Sequence, residues 1–487
     1  MKTIQGYLID SGYTTVSDST YSHIDEWLEW YQGEVEKFHK YKIYNGMSIV
    51  TEKRYRLGMA KKICEDWANL LLNEKLSIKA GNFDNRLNEI LHVNNFRTRA
   101  NQLIELMCAL GTGAFVEYLD GDGQVCIDYV RADMIYPLKW ENGDIIECAF
   151  GSYRTKGNED YIYLQIHRKG IGDGENASIY YIENKLINAE TGKECEMEEV
   201  AEIIKTGSQQ PLFQIIVPNI CNNIDLDSPL GISIYANSIS QLKSCDLIYD
   251  SYINEYRLGR KRILVPITAA KIEMQKNGVT APVFDPSETV FYAMPGDRDS
   301  DLKITEVDMD IRATEHELGI QRALDILSLK CGMGTGRYQF DSSGVKTATE
   351  VISDKSDLYQ NLKKNTIVIK DALINLVKAI AFLDGYGEVE VIVDFDDSII
   401  EDVNTTIDRN IKLVQAGLRS KLSAIMEINK CSEQEAAKEM EKIAEESQIS
   451  GQDIDWTDRD SQDEEESETE DVEEDDVDES TRKSKKR

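Results

Sequence analysis

The chain has 487 residues, 41% of them hydrophobic, and a formal net charge of −33. That length supports about two or three cores, and the acidic balance excludes a protein that grips nucleic acid tightly, which would be basic. No run of about 18 apolar residues exists to span a membrane, and Met1-Lys-Thr-Ile-Gln-Gly lacks the apolar core of a signal sequence. Nine scattered cysteines without a CxxC pair read as buried, reduced thiols in a cytosolic compartment. The five histidines do not sit near cysteine pairs, which argues against zinc, and no other metal or cofactor motif is present.

Taken in order, residues 1–20 are polar and read as loosely ordered. Ile24–Tyr31 is a short amphipathic helix with Trp27 and Trp30. In the helix Lys61–Leu72, residues Ala60, Ile63, Cys64, Trp67, Leu70 and Leu71 form one face. Leu76–Ala80 alternates like a strand, and helices follow at Asp84–Val93 and Thr98–Leu110, the second ended by Gly111. From Gly113 to about Asn188 the pattern is β. Strands are predicted at Ala114–Leu119, Val125–Val130, Met134–Leu138, Ile145–Tyr153, Tyr161–Arg168 and Ser178–Glu183, with hairpin signals at Asp122-Gly123 and Asn142-Gly143. Meandering strands packed on helices make an α+β arrangement.

A long helix is predicted from Ser228-Pro229, a hydroxyl cap followed by a proline, to Gly259. Its apolar and aromatic stripe comprises Ile232, Tyr235, Ile239, Leu242, Tyr249, Ile253 and Tyr256. Such a helix spans about 45 Å and must lie against other helices, of its own chain or of neighbours. Arg257, Arg260, Lys261 and Arg262 crowd its end, where they complement the helix dipole or pair with acidic residues of a neighbouring copy. A β-rich insert follows, with runs Ile263–Pro266 and Thr289–Ala293 among turn formers, then a helix from Arg312 to Lys330. The Gly-rich run Cys331-Gly-Met-Gly-Thr-Gly-Arg-Tyr-Gln-Phe-Asp-Ser-Ser-Gly344 leads into a third long helix. That helix opens with the capping-box spacing Thr347-Ala-Thr-Glu350 and reaches Phe382. Glu388–Asp397 is a strand. Helices Thr405–Gln415 and Lys421–Glu446 flank Gly417. Residues 453–487 hold 17 acidic and 6 basic side chains, ending in Arg482-Lys-Ser-Lys-Lys-Arg487, and read as disordered.

Two motifs raise the question of chemistry. Val391-Ile-Val-Asp-Phe-Asp-Asp397 resembles the nucleophile strand of magnesium-dependent phosphotransferases of the haloacid-dehalogenase type, with Asp394 attacking phosphorus and Asp396 as acid. That chemistry needs a long α/β continuation, and only two helices follow, so a structural strand end is favoured. Gly332-Met-Gly-Thr-Gly336 follows a helix and lacks the lysine of a phosphate-binding loop; it reads as an inter-helix connection. His23, His39, His92, His167 and His316 are isolated and read as structural or surface residues.

The order helix, β insert, helix, glycine loop, long helix resembles the portal proteins of tailed double-stranded DNA phages. Ser228-Pro-Leu-Gly-Ile-Ser-Ile-Tyr, Tyr249-Asp-Ser-Tyr-Ile-Asn-Glu, Arg260-Lys-Arg-Ile, Lys346-Thr-Ala-Thr-Glu-Val and Ile63-Cys-Glu-Asp-Trp-Ala-Asn-Leu-Leu-Leu-Asn-Glu74 are similar to the subgroup from long-tailed phages of Gram-positive hosts. The resemblance implies a wing (1–227), a first stem helix (228–260), a clip (261–311), a second stem helix (312–331), a tunnel loop (332–346), a long helix with a strand returning to the wing (347–402), a helical crown (403–450) and the acidic tail (451–487). It implies a ring of about twelve copies at one capsid vertex, assembled in the host cytoplasm, with a channel for packaging and ejecting DNA. Its implied partners are the terminase large subunit and later a head-completion adaptor, both at the clip, with major capsid and scaffolding proteins. Double-stranded DNA passes without sequence readout, and the protein itself is not an enzyme. Gly334, Gly336, Arg337, Tyr338, Gln339 and Lys346 would line the narrowest point and touch phosphates; a surface connector is the plainer alternative. Tyr235, Ile239, Leu242, Tyr249, Ile253 and Tyr256 would form the stem interface. A non-portal structural or scaffolding virion protein is the other alternative.

Overall fold

The computed structural model describes residues 2–44, 48–73, 76–156, 159–170, 179–195, 200–266, 272–274, 280–282, 291–294, 305–340, 348–395, 403–429 and 433–450. They form two compact units, divided after Asp396.

The N-terminal stretch expected to be loose is instead a helix, α1 (Lys2–Asp10), followed by α2 (Asp18–Gln32). Ile4 and Leu8 lie one helical turn apart and are fully buried, which fixes α1 to the core. After the single turn α3 (Glu36–His39), strands β1 (Lys40–Tyr44) and β2 (Ile49–Lys53) pair as a hairpin whose residues are mostly exposed. Helix α4 (Met59–Leu71) buries the predicted face. Strand β3 (Ser77–Lys79) and helices α5 (Asp84–Val93) and α6 (Phe96–Leu110) follow as expected.

The β-rich region supplies β4 (Gly113–Leu119), β5 (Val125–Arg131), β6 (Ile135–Glu141), β7 (Asp144–Lys156), β8 (Glu159–Lys169), β9 (Tyr180–Asn188), β10 (Glu194–Cys195), β11 (Ile203–Lys205) and β12 (Phe213–Ile216). These make two sheets rather than one. A meander runs β6-β7-β8-β9 with β10 and β11 on the far edge of β9, and a second sheet has the order β12-β4-β5. All pairs are antiparallel. Asn142 and Gly143 both adopt positive φ, the geometry of a tight hairpin turn. Helix α6 packs on β4 and β5 and against α4, so one buried core joins the N-terminal helices to this sheet.

The predicted helix of residues 228–260 is shorter than its pattern suggested. Helix α7 spans Ile239–Leu258, 20 residues or about 30 Å. Residues 228–235 form an irregular segment across the end of α6. Gly231 makes this crossing possible: its N–H donates to Thr112 Oγ1 (3.1 Å), and a Cβ on facing Gly111 would stand 2.6 Å from the Gly231 carbonyl oxygen. Ser233 Oγ and Ile234 N–H both donate to the Cys108 carbonyl, an acceptor left over at the helix end. Tertiary partners thus outcompete the Ser-Pro capping signal.

The insert supplies β13 (Arg262–Pro266), β14 (Ile272–Met274), β15 (Thr280–Pro282), β16 (Phe291–Met294) and β17 (Thr305–Val307). Strand β13 pairs in parallel with β16 and antiparallel with β17, and β14 pairs with β15. Helix α8 (Ala313–Lys330) then returns along α7, and α9 (Ala348–Leu383) packs on β4 and β12. Among the described residues, strand β18 (Ile392–Asp394) pairs with β3 and joins neither large sheet. The second unit holds α10 (Val403–Gln415), α11 (Lys421–Asn429) and α12 (Glu433–Ser450). The single helix expected from Lys421 is therefore two. Glu427 joins α10 to α11 through Arg409 (2.6 Å) and also pairs with Arg419. The acidic tail, Asp396, Lys346 and the Thr347 capping position lie outside the described residues.

Candidate stem and loop site

The functional candidates gather around the antiparallel pair α7–α8 and the chain that leaves it. At the root of α7, Leu242, Asp246 and Asp250 follow one another at four-residue spacing on the buried face. Asp246 accepts the Leu57 N–H (2.8 Å) and Asp250 accepts the Tyr55 N–H (2.9 Å). His39 Nδ1 accepts the Val35 N–H at 2.9 Å, so Nε2 carries the proton and donates to Asp246 at 3.1 Å. The root of α7 is therefore fastened to residues 35–57 by buried, charge-assisted hydrogen bonds. His39 is thus a structural residue, with one partner four positions away and another 207 positions away.

At the far end, Arg312 clasps Glu255 with two nitrogens (2.9 and 3.0 Å), and His316 stands 3.7 Å from the same carboxylate. The Arg312 hydrogen bond holds the Glu255 carboxyl down to about 2. Tyr252 meets Tyr256 edge-on at 5.2 Å. This clasp closes the hairpin just before the β insert.

Among the predicted stem-interface residues, Leu242 is buried, Ile239, Tyr249 and Ile253 are half-buried, and Tyr256 is exposed. Tyr235 belongs elsewhere: it precedes the helix, is fully buried, and donates its hydroxyl to the Trp27 carbonyl at 2.7 Å. The surface that α7 and α8 leave uncovered is a different set. Leu247 and Leu258 on α7, and Leu318, Ile326 and Leu329 on α8, are each more than half exposed. Leu247 and Leu258 are three turns apart, as are Leu318 and Leu329, so each pair occupies one side of its helix.

In the basic cluster, Arg257 lies 3.7 Å from Glu52 and Lys261 pairs with Glu306. Arg262 donates to the Leu258 carbonyl at 3.3 Å, a contact of the helix-end kind, and Arg260 is exposed.

The glycine run does not leave α8 as a free loop. Gly332 N–H bonds the Leu329 carbonyl and Met333 N–H the Ser328 carbonyl, with Gly332 at positive φ, a helix stop that glycine favours. Cys331 and Met333 are buried and Gly334 is covered. Tyr338, expected to reach outward, is partly buried with its hydroxyl on Asp66 at 3.0 Å. Arg337 and Gln339 are exposed, and Gly336 and Gly334 take positive φ between them and the helix. Asp66, Asp246 and Glu255 were missed by sequence reasoning. The available signal was an acid set within or beside an apolar helical stripe.

Asp394 is exposed on a three-residue antiparallel strand. A phosphotransferase nucleophile strand would sit within a parallel sheet with helices on both faces, so this setting does not support that alternative.

The sequence matches the family model "Phage portal protein, SPP1 Gp6-like" over residues 11–452. The chain belongs to the phage portal protein family. The subgroup of Gram-positive hosts is not part of that finding. A comparison with curated proteins returns no match. Among solved structures, this portal protein is similar to a chain of the neck of a native GTA particle computed with C12 symmetry. That chain is 12% identical with a TM-score of 0.37, covering 76% of this chain and 89% of its own. The portal family is one of structural virion proteins, and an α+β fold of this kind accords with it. No helix among the described residues is long and apolar enough to cross a membrane.

Proposed function

We propose that this portal protein closes into a ring of about twelve copies around an axial channel at one capsid vertex. The observation that carries the ring is the exposed apolar side of α7 and α8, formed by Leu247, Leu258, Leu318, Ile326 and Leu329. A helix pair of about 30 Å with apolar residues on its outer sides is stabilised when a neighbouring copy removes that surface from water. The α7–α8 pair is the stem, residues 261–311 the clip, and residues 403–450 the crown. The clip docks the terminase large subunit during packaging and a head-completion adaptor afterwards, while capsid and scaffolding proteins surround the ring. DNA is packaged and ejected through the channel, with Arg337, Gln339 and Lys346 offering phosphate contacts that carry no base readout. The body's negative charge keeps those contacts weak enough for sliding. Assembly takes place in the host cytoplasm.

The test is a double substitution, Leu318→Asp with Ile326→Asp. Light scattering and negative-stain imaging of the natural protein should show rings with an axial opening. The variant should remain folded by circular dichroism but fail to assemble. Rings that form equally well in the variant refute the assigned interface, and particles without an opening refute the channel.

A further inference from the structure

The segment after α8 is held at more points than a connector needs. Trp67 Nε1 donates to the Cys331 carbonyl (3.1 Å), Asn361 Nδ2 to the Gly332 carbonyl (3.2 Å), and Ser328 Oγ to the Gly334 carbonyl (2.7 Å). Gln321 Nε2 donates to the Tyr338 carbonyl (3.0 Å), while its Oε1 accepts the Phe340 N–H (3.4 Å). The last attachment differs in kind. Asp66, buried on α4, accepts Lys62 Nζ at 2.7 Å and the Tyr338 hydroxyl at 3.0 Å, with Arg337 Nη2 at 3.9 Å. Burial, and then the charge on Asp66, raise the Tyr338 phenol's pKa, so it stays a protonated donor.

We propose that Asp66 is a positioning residue that fixes where Arg337 and Gln339 face passing DNA, by latching Tyr338 to helix α4. This rests on the channel reading above. Cys331 and Met333 already anchor the start of the segment in the core, and Lys62 already balances the carboxylate. The Tyr338 contact adds placement of the residues on either side of it. A charge-assisted hydrogen bond suits that role because it has direction, and it adds a side-chain tie to α4 beside the backbone bonds that Gln321 makes from α8.

Tyr338→Phe keeps the ring packed and removes only the donor. Asp66→Asn keeps an acceptor for the phenol while losing the charge that draws Arg337. Amide exchange on the full-length protein should rise roughly tenfold at residues 337–340 in Tyr338→Phe, with exchange at 59–71 unchanged. It should rise less in Asp66→Asn. DNA packaged per particle should fall in Tyr338→Phe at an unchanged melting temperature. Unaltered exchange at 337–340 overturns the latch. Raised exchange with full packaging overturns the positioning role and leaves a strut. Exchange is read without DNA, so failure of the latch is distinct from failure of the channel, which imaging of the rings decides.

Discussion

Lowering the pH from 7 to 5 challenges the joint between the β6–β9 meander and the β12-β4-β5 sheet through one side chain. His167 lies on β8, its ring 5.4 Å from Phe150 and 5.4 Å from Phe213 at the start of β12. It is buried, and neither ring nitrogen has a hydrogen-bond partner among the described residues. Burial lowers its pKa from 6.5 to about 3. The unfolded chain therefore takes up a proton below pH 6.5 that the folded chain refuses. The stability this group allows is complete above that pH and is lost as the pH falls toward 3. Between pH 7 and pH 5 the loss is about 2 kcal/mol, from about 1.4 kcal/mol per pH unit below the unfolded value. His167→Leu, of similar volume, removes the titration. Urea unfolding of the full chain, followed by tryptophan fluorescence at both pH values, reads the difference. The natural protein should lose about 2 kcal/mol more than the variant over that interval. Equal losses would refute the argument, because the two proteins differ only at this side chain.

Glu117 on β4 gives the opposite slope. Both its carboxylate oxygens are buried without partners among the described residues, and burial pushes its pKa well above 4.5. Its stability is fully present below pH 4.5 and is lost as the pH rises through the folded value. Glu117→Gln should therefore be more stable than the natural protein at pH 8 and lose that advantage by pH 4.5; an advantage independent of pH would contradict this. Gly231→Ala should cost about 1–3 kcal/mol, since the added methyl meets the Gly111 carbonyl rather than a movable side chain. A melting temperature equal to that of the natural protein would show that the crossing can relax.

Much of the chain could be read from its pattern. Ala60, Ile63, Cys64, Trp67 and Leu71 recur at helical spacing and are buried together on α4. Asn142-Gly143 marked a hairpin because glycine and asparagine tolerate the backbone it needs. Helix α1 was not legible, because its polar surroundings masked the one-turn spacing of Ile4 and Leu8. The β1–β2 hairpin left no alternation to read because neither strand has a buried face.

The sequence alone determined where helices and strands tend to form, and the order of elements that marks the portal family, because both depend on local spacing and chain order. The tertiary structure decided the rest. The Ser228-Pro229 signal yielded to a crossing at Gly111 and Gly231, Tyr235 went to Trp27, and Asp66 met Tyr338 across 272 positions. These outcomes depend on which distant groups arrive within hydrogen-bonding reach once the core closes, and no local periodicity encodes that distance.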